Sequence, residues 1–386
     1  MVKKLLTSIR IVVISRNWYP SVKGGAEKFI TRVSEKLWFH KDYEVIGITR
    51  YVSGFFPPRA GHKLLYYYEK HPIPIFSSLK FSLWASRITN LLKPDIVIVN
   101  SYWGEGSPIF IDKKIPVISI IHDVGLFRSE WARRHKLKHL LRVYVLKKVV
   151  KKARYIVVPT HVVKEDIVRF LKADPSKILV LGFEGVDGPF RRVHVNNGFF
   201  DIVQVGRFAP NKDHITTLKA FKEIVKEIPN ARLWLVGGRP LDPEHELYFA
   251  KVKELVEEIN RSLGFEAVKI VVDAPSVDPY YRIADICVAP SIGEEGFGLT
   301  VVECMAYGKP VVASDIFVKT GVASPERCIV FKRGDYEALV DAVIRLYKDP
   351  YLYEKIANRG LEFSKKHSWD AVAKKIDNII RKIIQS

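Results

Sequence analysis

The sequence predicts an α/β protein made of two doubly wound units, each a parallel sheet between layers of helices. Three observations predict it. Short β-branched apolar runs alternate with longer amphipathic stretches along both halves of the chain. A turn-rich segment interrupts this alternation near the middle. The length of 386 residues, 48% hydrophobic and 27% charged, suits two cores of ordinary domain size and excludes disordered, collagenous and small disulfide-stapled classes.

In the first half the expected strands are Ile11 to Ser15, Glu44 to Thr49, Leu64 to Tyr68, Asp95 to Asn100, Val117 to Ile121 and Tyr155 to Pro159. Ala26 to Phe39 and Lys138 to Lys152 read as helices between them. The second half repeats the pattern with strands Asp201 to Val205, Arg232 to Val236, Val268 to Val272, Ile286 to Ala289 and Val311 to Ala313. Its helices are His214 to Ile228, Glu244 to Leu263, Leu299 to Tyr307, Glu337 to Leu346 and Tyr351 to Lys365. Gly185, Gly188 and Pro189, followed by the polar run Val193 to Gly198, place a hinge at residues 183 to 200. The expected domains are therefore 1–183 and 184–369. Asp370 to Ile384 has helical apolar spacing and is expected to pack back on the first domain.

Cys287, Cys304 and Cys328 lack CxxC spacing, which argues against a disulfide framework and a structural zinc site and fits a reducing compartment. The apolar run near the start is too short for a signal peptide core, and no stretch reaches the 18 apolar residues of a membrane span. The chain is expected to be cytoplasmic or peripheral on the cytoplasmic membrane face. Lys plus Arg number 62 against 42 Asp plus Glu, a net charge of +20, which points to an anionic partner without choosing among phosphate, nucleic acid and acidic lipid.

Parallel sheets of this kind bind ligands outside the carboxyl ends of their strands, so strand-to-helix junctions hold the candidate residues. Gly24 and Gly25 sit at the first junction, where the backbone can approach a phosphate and a helix start can receive it. Otherwise they form an ordinary turn. His122 ends another strand and can hydrogen-bond a ligand hydroxyl or phosphate, or merely cap a carbonyl. Arg207 and Lys212, in Gly206-Arg-Phe-Ala-Pro-Asn-Lys-Asp213, could hold one diphosphate and stabilise it as a leaving group. The strongest local feature runs from Glu294 to Gly308. Glu295 precedes a helix and Glu303 lies within it, while Gly296, Phe297, Gly298, Leu299 and Thr300 form the glycine-rich approach and helix start. Carboxylates accept bonds from sugar hydroxyls, and exposed helix-start amides meet phosphate oxygens. A hydrolase with paired acids fits less well, because the acids share their region with two cations suited to an anionic donor. No HExxH motif or aspartate cluster suggests a bound metal.

Together, Gly24-Gly25-Ala26-Glu27, the GRFAPNKD segment and EGFGLTVVECMAYGKPVVAS resemble family 4 of the retaining glycosyltransferases, the glycosyl transferases of group 1. The spacing of Glu295 and Glu303, seven residues between them, is the most specific element of the resemblance. It implies the GT-B fold: two facing Rossmann-like domains with an intervening cleft, an acceptor-side first domain and a nucleotide-sugar-binding second one. It further implies that Gly25 meets the donor diphosphate, His122 the transferred sugar, and Arg207 and Lys212 the diphosphate. Glu295 would engage the sugar hydroxyls and Glu303 the ribose, with the Leu299 and Thr300 backbone in support. The donor would be a nucleotide-diphosphate sugar, UDP- or GDP-linked, with no cofactor and no metal requirement. Two departures stand out. Glu184-Gly-Val-Asp187 replaces the usual Asn-Gly-Val-Asp turn, and Asp315 to Lys319 stands where relatives often carry Gly-Gly and a glutamate.

From Arg133 to Arg154 the sequence has ten Lys or Arg residues and no acid, interleaved with Leu and Val. Arg142, Lys147, Lys148, Lys151 and Lys152 could form a cationic face for an anionic membrane or anion, or simply a solvated helix face. Tyr66, Tyr67, Tyr68, Phe76, Phe81 and Trp84 could add interfacial contacts or fill the core. A lipid-linked or membrane-proximal acceptor is the favoured expectation. A soluble sugar or sugar phosphate acceptor is the rival within the enzyme class, and a nucleic-acid or nucleotide-sugar binding protein without transfer activity is the rival outside it. Nucleic acid is disfavoured because no base-reading module is present.

Overall fold

The structure is a computed structural model that describes residues 8–18, 25–51, 63–68, 74–101, 106–122, 136–182, 185–240, 243–293 and 295–385. Gly24 and Glu294, and the Glu184 of the altered turn, lie outside the described residues. The chain divides into two units, Met1–Gly185 with Trp369–Ser386, and Val186–Ser368.

The first unit runs β1 (Ile9–Ile14), α1 (Gly25–Trp38), β2 (Tyr43–Arg50), β3 (Lys63–Tyr67), α2 (Pro74–Leu92), β4 (Ile96–Asn100) and α3 (Ser107–Phe110). It continues through β5 (Val117–Ile120), α4 (Lys136–Lys152), β6 (Tyr155–Val158), α5 (His161–Asp166) and β7 (Ile178–Val180). Its seven strands are ordered β3-β2-β1-β4-β5-β6-β7. All pairings are parallel, with Val12 opposite Ile46 on one side and Val97 on the other. Strands covered on both faces need apolar residues at every position, which is why they read as runs rather than alternations. Val12, Ile14, Ile48, Val97 and Val99 are buried and pack with Phe81 and Ala85 of α2.

The second unit runs β8 (Phe200–Val205), α6 (His214–Glu227), β9 (Ala231–Gly237), α7 (Pro243–Leu263), β10 (Val268–Val272), α8 (Asp278–Ile283) and β11 (Ile286–Ala289). Then follow α9 (Leu299–Ala306), β12 (Val311–Ser314), α10 (Ile316–Lys319), β13 (Ile329–Phe331), α11 (Tyr336–Lys348) and α12 (Pro350–Lys365). The sheet order is β10-β9-β8-β11-β12-β13, again all parallel. Ile202, Leu233, Ile286 and Val312 form its buried centre with Phe221 and Ile224 of α6 and Leu339 and Val343 of α11. In each sheet the strand order reverses at one point, between β1 and β4 and between β8 and β11, and the carboxyl ends of those strands diverge to open a ligand crevice.

The final helix, α13 (Trp369–Ile384), belongs to the first unit. Its buried stripe, Trp369, Val372, Ala373, Ile376, Ile380 and Ile383, lies against α1. Trp369 stands edge-on to Phe29 with centroids 6.1 Å apart. Arg381 donates to Asp42 at 3.1 Å and Lys36 pairs with Asp370 at 2.6 Å.

The cysteines hold one bond that their spacing did not point to. Cys287 in β11 and Cys304 in α9 form a disulfide, and Cys328 is a buried free thiol. The two cysteines lack any paired-motif spacing because one comes from a strand and the other from the helix packed on it. Sequence distance does not reveal that the fold superimposes them.

Candidate functional site

In the second unit the reversal between β8 and β11 gathers the predicted residues. The loop after β8 begins at Gly206, and it runs beside a second glycine pair absent from the sequence-based expectations. A Cβ on Gly237 would stand 1.8 Å from the Gly206 carbonyl oxygen, and one on Gly238 would meet Arg207 Cγ at 3.4 Å. The ends of β8 and β9 can therefore approach closely only because Gly237 lacks a side chain, whereas Gly238 has room for one. Arg207 is exposed there. The loop closes in a short turn at Pro210–Lys212, fixed by Gln204 Nε2 donating to the Lys212 carbonyl at 2.8 Å. Asp213 adopts a left-handed backbone and caps α6, accepting from the Thr216 amide at 3.3 Å. Behind this loop, the buried His214 ring stacks on Phe208 with centroids 4.9 Å apart. Burial, then the nearby Lys212 charge, push its pKa down from 6.5 to about 3. It is a neutral packing element at ordinary pH.

The loop after β11 is sewn to this one by backbone bonds. The amides of Ile292 and Gly293 donate to the Asn211 carbonyl at 3.0 and 3.3 Å. A Cβ on Gly293 would lie 2.6 Å from Asn211 Cβ, so the glycine is needed for the approach. The result is a direct ion pair between Lys212 Nζ and Glu295 Oε1, both largely buried. Ser291 Oγ donates to the same oxygen at 2.7 Å. Both bonds fall on Oε1. Ser291 and Asn211 carry no sequence signal of their own, being common residues whose role comes from the loop pairing.

Helix α9 then starts at Leu299, after Gly298 with φ of 112°. A Cβ there would stand 2.7 Å from Phe317 Cδ1, so both conformation and space require glycine. No side chain caps this helix start, and the amides of its first turn are the kind of donor set that receives phosphate oxygens. Phe297 is buried below the approach, Gly296 is half-buried, and Leu299 and Thr300 are half-buried at the helix start. Glu303, one turn on, is buried and accepts from Tyr281 Oη of α8 at 3.1 Å. The structure thus brings Arg207, Lys212, Glu295, the Gly296–Thr300 segment and Glu303 onto one end of one sheet.

Gly25 and His122 belong to the first unit. Gly25 is the exposed first residue of α1. His122 is buried just past β5, with Phe29 of α1 edge-on to its ring at 5.0 Å. Of the basic patch, Lys147, Lys148 and Lys151 are exposed, whereas Arg142 is half-buried and Lys152 donates to the Asp112 carbonyl at 3.1 Å. Of the six aromatics, Phe81 is fully buried, Tyr68 is exposed, and Tyr67 and Trp84 pack together at 5.3 Å.

Residues 200–349 match the family described as Glycosyl transferases group 1, and residues 23–182 match Glycosyltransferase Family 4. The chain belongs to the family 4, group 1 glycosyltransferases. Among curated relatives, a phosphatidyl-myo-inositol mannosyltransferase of Mycobacterium leprae is 30% identical over 48% of this chain and 47% of its own length. The chain thus spans about half of that relative. A D-inositol 3-phosphate glycosyltransferase of Catenulispora acidiphila is 26% identical over 72% of this chain and 68% of its own. Among solved structures, Anabaena HepE in complex with UDP and glucose has a TM-score of 0.73 at 13% identity, covering 97% of this chain and 99% of that one. That likeness shows the GT-B fold class, two Rossmann-like units in one chain. Among the described residues, no helix is long and apolar enough to cross a membrane.

Proposed function

We propose that the chain transfers a sugar, with retention at the anomeric carbon, from a UDP- or GDP-sugar to an acceptor hydroxyl that is lipid-linked or membrane-proximal. The observation that carries this reading is the Lys212–Glu295 pair beside the uncapped start of α9. It sets a cation for the diphosphate next to a carboxylate for the sugar hydroxyls. Binding of UDP and glucose by HepE supports the donor class, and the lipid named for the mycobacterial relative supports the acceptor class.

In this mechanism the bond from the anomeric carbon to the diphosphate oxygen breaks, and its electron pair leaves with the diphosphate. Arg207 and Lys212 offset the charge that develops, which a low-dielectric site makes more effective than in water. The acceptor oxygen bonds the anomeric carbon on the same face, and its proton passes to a departing phosphate oxygen. Glu295 holds the sugar hydroxyls, Glu303 the ribose, Gly25 the diphosphate and His122 the sugar near its reacting carbon. No metal is assigned a step, since two cations and the α9 amides supply the positive field.

The test is nucleotide release and product formation over a panel of UDP-, GDP- and ADP-sugars, with membrane extract and with soluble sugar acceptors. Transfer into extracted lipid is expected, unchanged by chelator, and Lys212→Ala is expected to lower kcat roughly a hundredfold. Glu295→Ala should abolish detectable transfer. Failure to bind or cleave any of these donors overturns the reading, and transfer only to soluble acceptors replaces its acceptor half.

A further inference from the structure

Helix α4 presents a solvent face that neither the core nor the sugar chemistry accounts for. Leu146, Val149 and Val150 bury its inner side against β6 and its surroundings. On the outer side stand Leu140, Leu141 and Tyr144, followed by Lys147, Lys148 and Lys151, all exposed. The spacing 140, 144, 147, 151 is one helical stripe, with 141 and 148 beside it. The stripe is divided along the helix axis, apolar in its first half and cationic in its second. Lys148 Nζ lies 5.4 Å from the Tyr144 ring centre and joins the two halves.

Helix α2, which approaches α4 at Gly106, also carries exposed leucines. Gly106 lies where α2 and α4 approach: its amide donates to Ser82 Oγ at 3.0 Å. A Cβ on Gly106 would meet Val145 Cγ1 at 3.5 Å and Ser82 Oγ at 3.6 Å. Leu79 and Leu83 of α2 and Leu141 and Tyr144 of α4 stand within a turn of those two side chains. These four and Leu140 are between 45% and 63% exposed. Three large apolar side chains together on one side of α4, Leu140, Leu141 and Tyr144, differ from the single exposed leucines that any surface carries.

We propose that this face of the first unit is a docking surface for an anionic phospholipid bilayer, with the leucines and Tyr144 entering the headgroup boundary and Lys147, Lys148 and Lys151 over the phosphates. Charge complementarity selects the occupant. The sequence from Arg133 to Arg154 contains no acid, and the three lysines form no ion pair with a described residue. Lysines in the last turn also complement the helix dipole. That effect covers Lys151 at most, and it explains neither Lys147 nor the exposed leucines. A nucleic-acid backbone would engage the cations but leave the exposed leucines without a partner. The proposal deepens the membrane-proximal reading above and rests on it for its purpose, but its test is independent of sugar transfer.

The full chain is sedimented with vesicles of phosphatidylglycerol mixed with phosphatidylcholine, and with vesicles of phosphatidylcholine alone. Binding to the mixed vesicles only is expected. A Lys147→Gln, Lys148→Gln, Lys151→Gln variant should bind them roughly a hundredfold more weakly, three lysines each contributing at the surface. A Leu140→Ser, Leu141→Ser, Tyr144→Ser variant should retain only binding that high salt removes. Unfolding temperature and nucleoside diphosphate binding, measured on each variant, show that the fold and the donor site persist. Equal vesicle binding by wild type and both variants overturns the proposal, as does tighter lysine-dependent binding to single-stranded RNA than to vesicles. Vesicle binding without turnover would defeat the transferase reading alone, and turnover without vesicle binding would defeat this surface alone.

Discussion

Tyr281 and Glu303 form a buried donor–acceptor pair, and a carboxylate placed where water does not reach must have its acceptor capacity met by the protein. Burial, then the charge of Glu303, push the Tyr281 phenol well above its ordinary range, so it remains a donor at any working pH. Tyr307 extends the arrangement, its ring tilted against Tyr281 with centroids 5.4 Å apart while its hydroxyl bonds Asp278. Tyr281 is thus a positioning residue for Glu303. The variant Tyr281→Phe removes a hydrogen bond to a charged group, about 1.5–3 kcal/mol. The expected result is a rise of roughly tenfold or more in donor KM with a much smaller change in kcat. Calorimetric titration with pyrophosphate and with the nucleoside diphosphate separates this role from a merely structural one. The affinity for pyrophosphate should stay constant while that for the nucleoside diphosphate falls, and an equal loss of both would refute the assignment.

At the scale of elements, the disulfide ties α9, which carries Glu303 and the uncapped helix start, to β11 beneath it. Its 17-residue separation closes a loop for which chain entropy gives about 3 kcal/mol of stabilisation. For a unit of this size that corresponds to roughly 6–12 °C in melting temperature. A Cys287→Ala, Cys304→Ala variant should show this drop in the transition of the second unit by scanning calorimetry. Thiol titration checks the pairing itself: one thiol reacts on unfolding without reductant and three after reduction. Burial pushes the Cys328 thiol up to about 12, so the native protein should not react at all. The sequence reading argued only against a disulfide framework, and spacing along the chain gave it no pointer to this single bond. Elsewhere, legibility followed the strength of the local pattern. β-branched runs marked β1, β4, β8 and β12 within a residue or two, whereas β7 and β13, three residues each, are too short to show a period. Helix α2 passed unmarked because leucines occur on its exposed side as well as its buried one, which erases the stripe. In the candidate site, Lys212, Glu295 and Glu303 stood out beside glycines, while Ser291, Asn211 and Tyr281 acquire meaning only through pairings between loops distant in sequence.

For the whole molecule, the decisive feature is that the chain leaves the first unit at Gly185 and returns to it at Trp369. The return is a packed element rather than a tail. A Cβ on Gly185 would stand 2.1 Å from Trp369 Cε3, so the departing and returning segments pass each other at a point where only glycine fits. Lys375 Nζ donates to the Leu181 carbonyl at 2.7 Å, and Tyr43 bonds Asp377. Trp369, Val372, Ile376, Ile380 and Ile383 are buried. At about 1.5–3 kcal/mol for each large apolar side chain buried, their removal withdraws on the order of 10 kcal/mol, comparable with the entire stability of a typical domain. A chain ending at Ser368 should therefore lose the first unit selectively. Hydrogen exchange is expected to show protection lost in α1 and β2, which α13 supports, and retained in β8, β9 and β11. Because Arg207, Lys212, Glu295 and Glu303 lie wholly within Val186–Ser368, the truncated chain should, on the proposed function, still bind a nucleoside diphosphate yet transfer no sugar. Protection lost equally in both units would show that they fold as one cooperative body and would refute the assignment of α13 to the first unit alone.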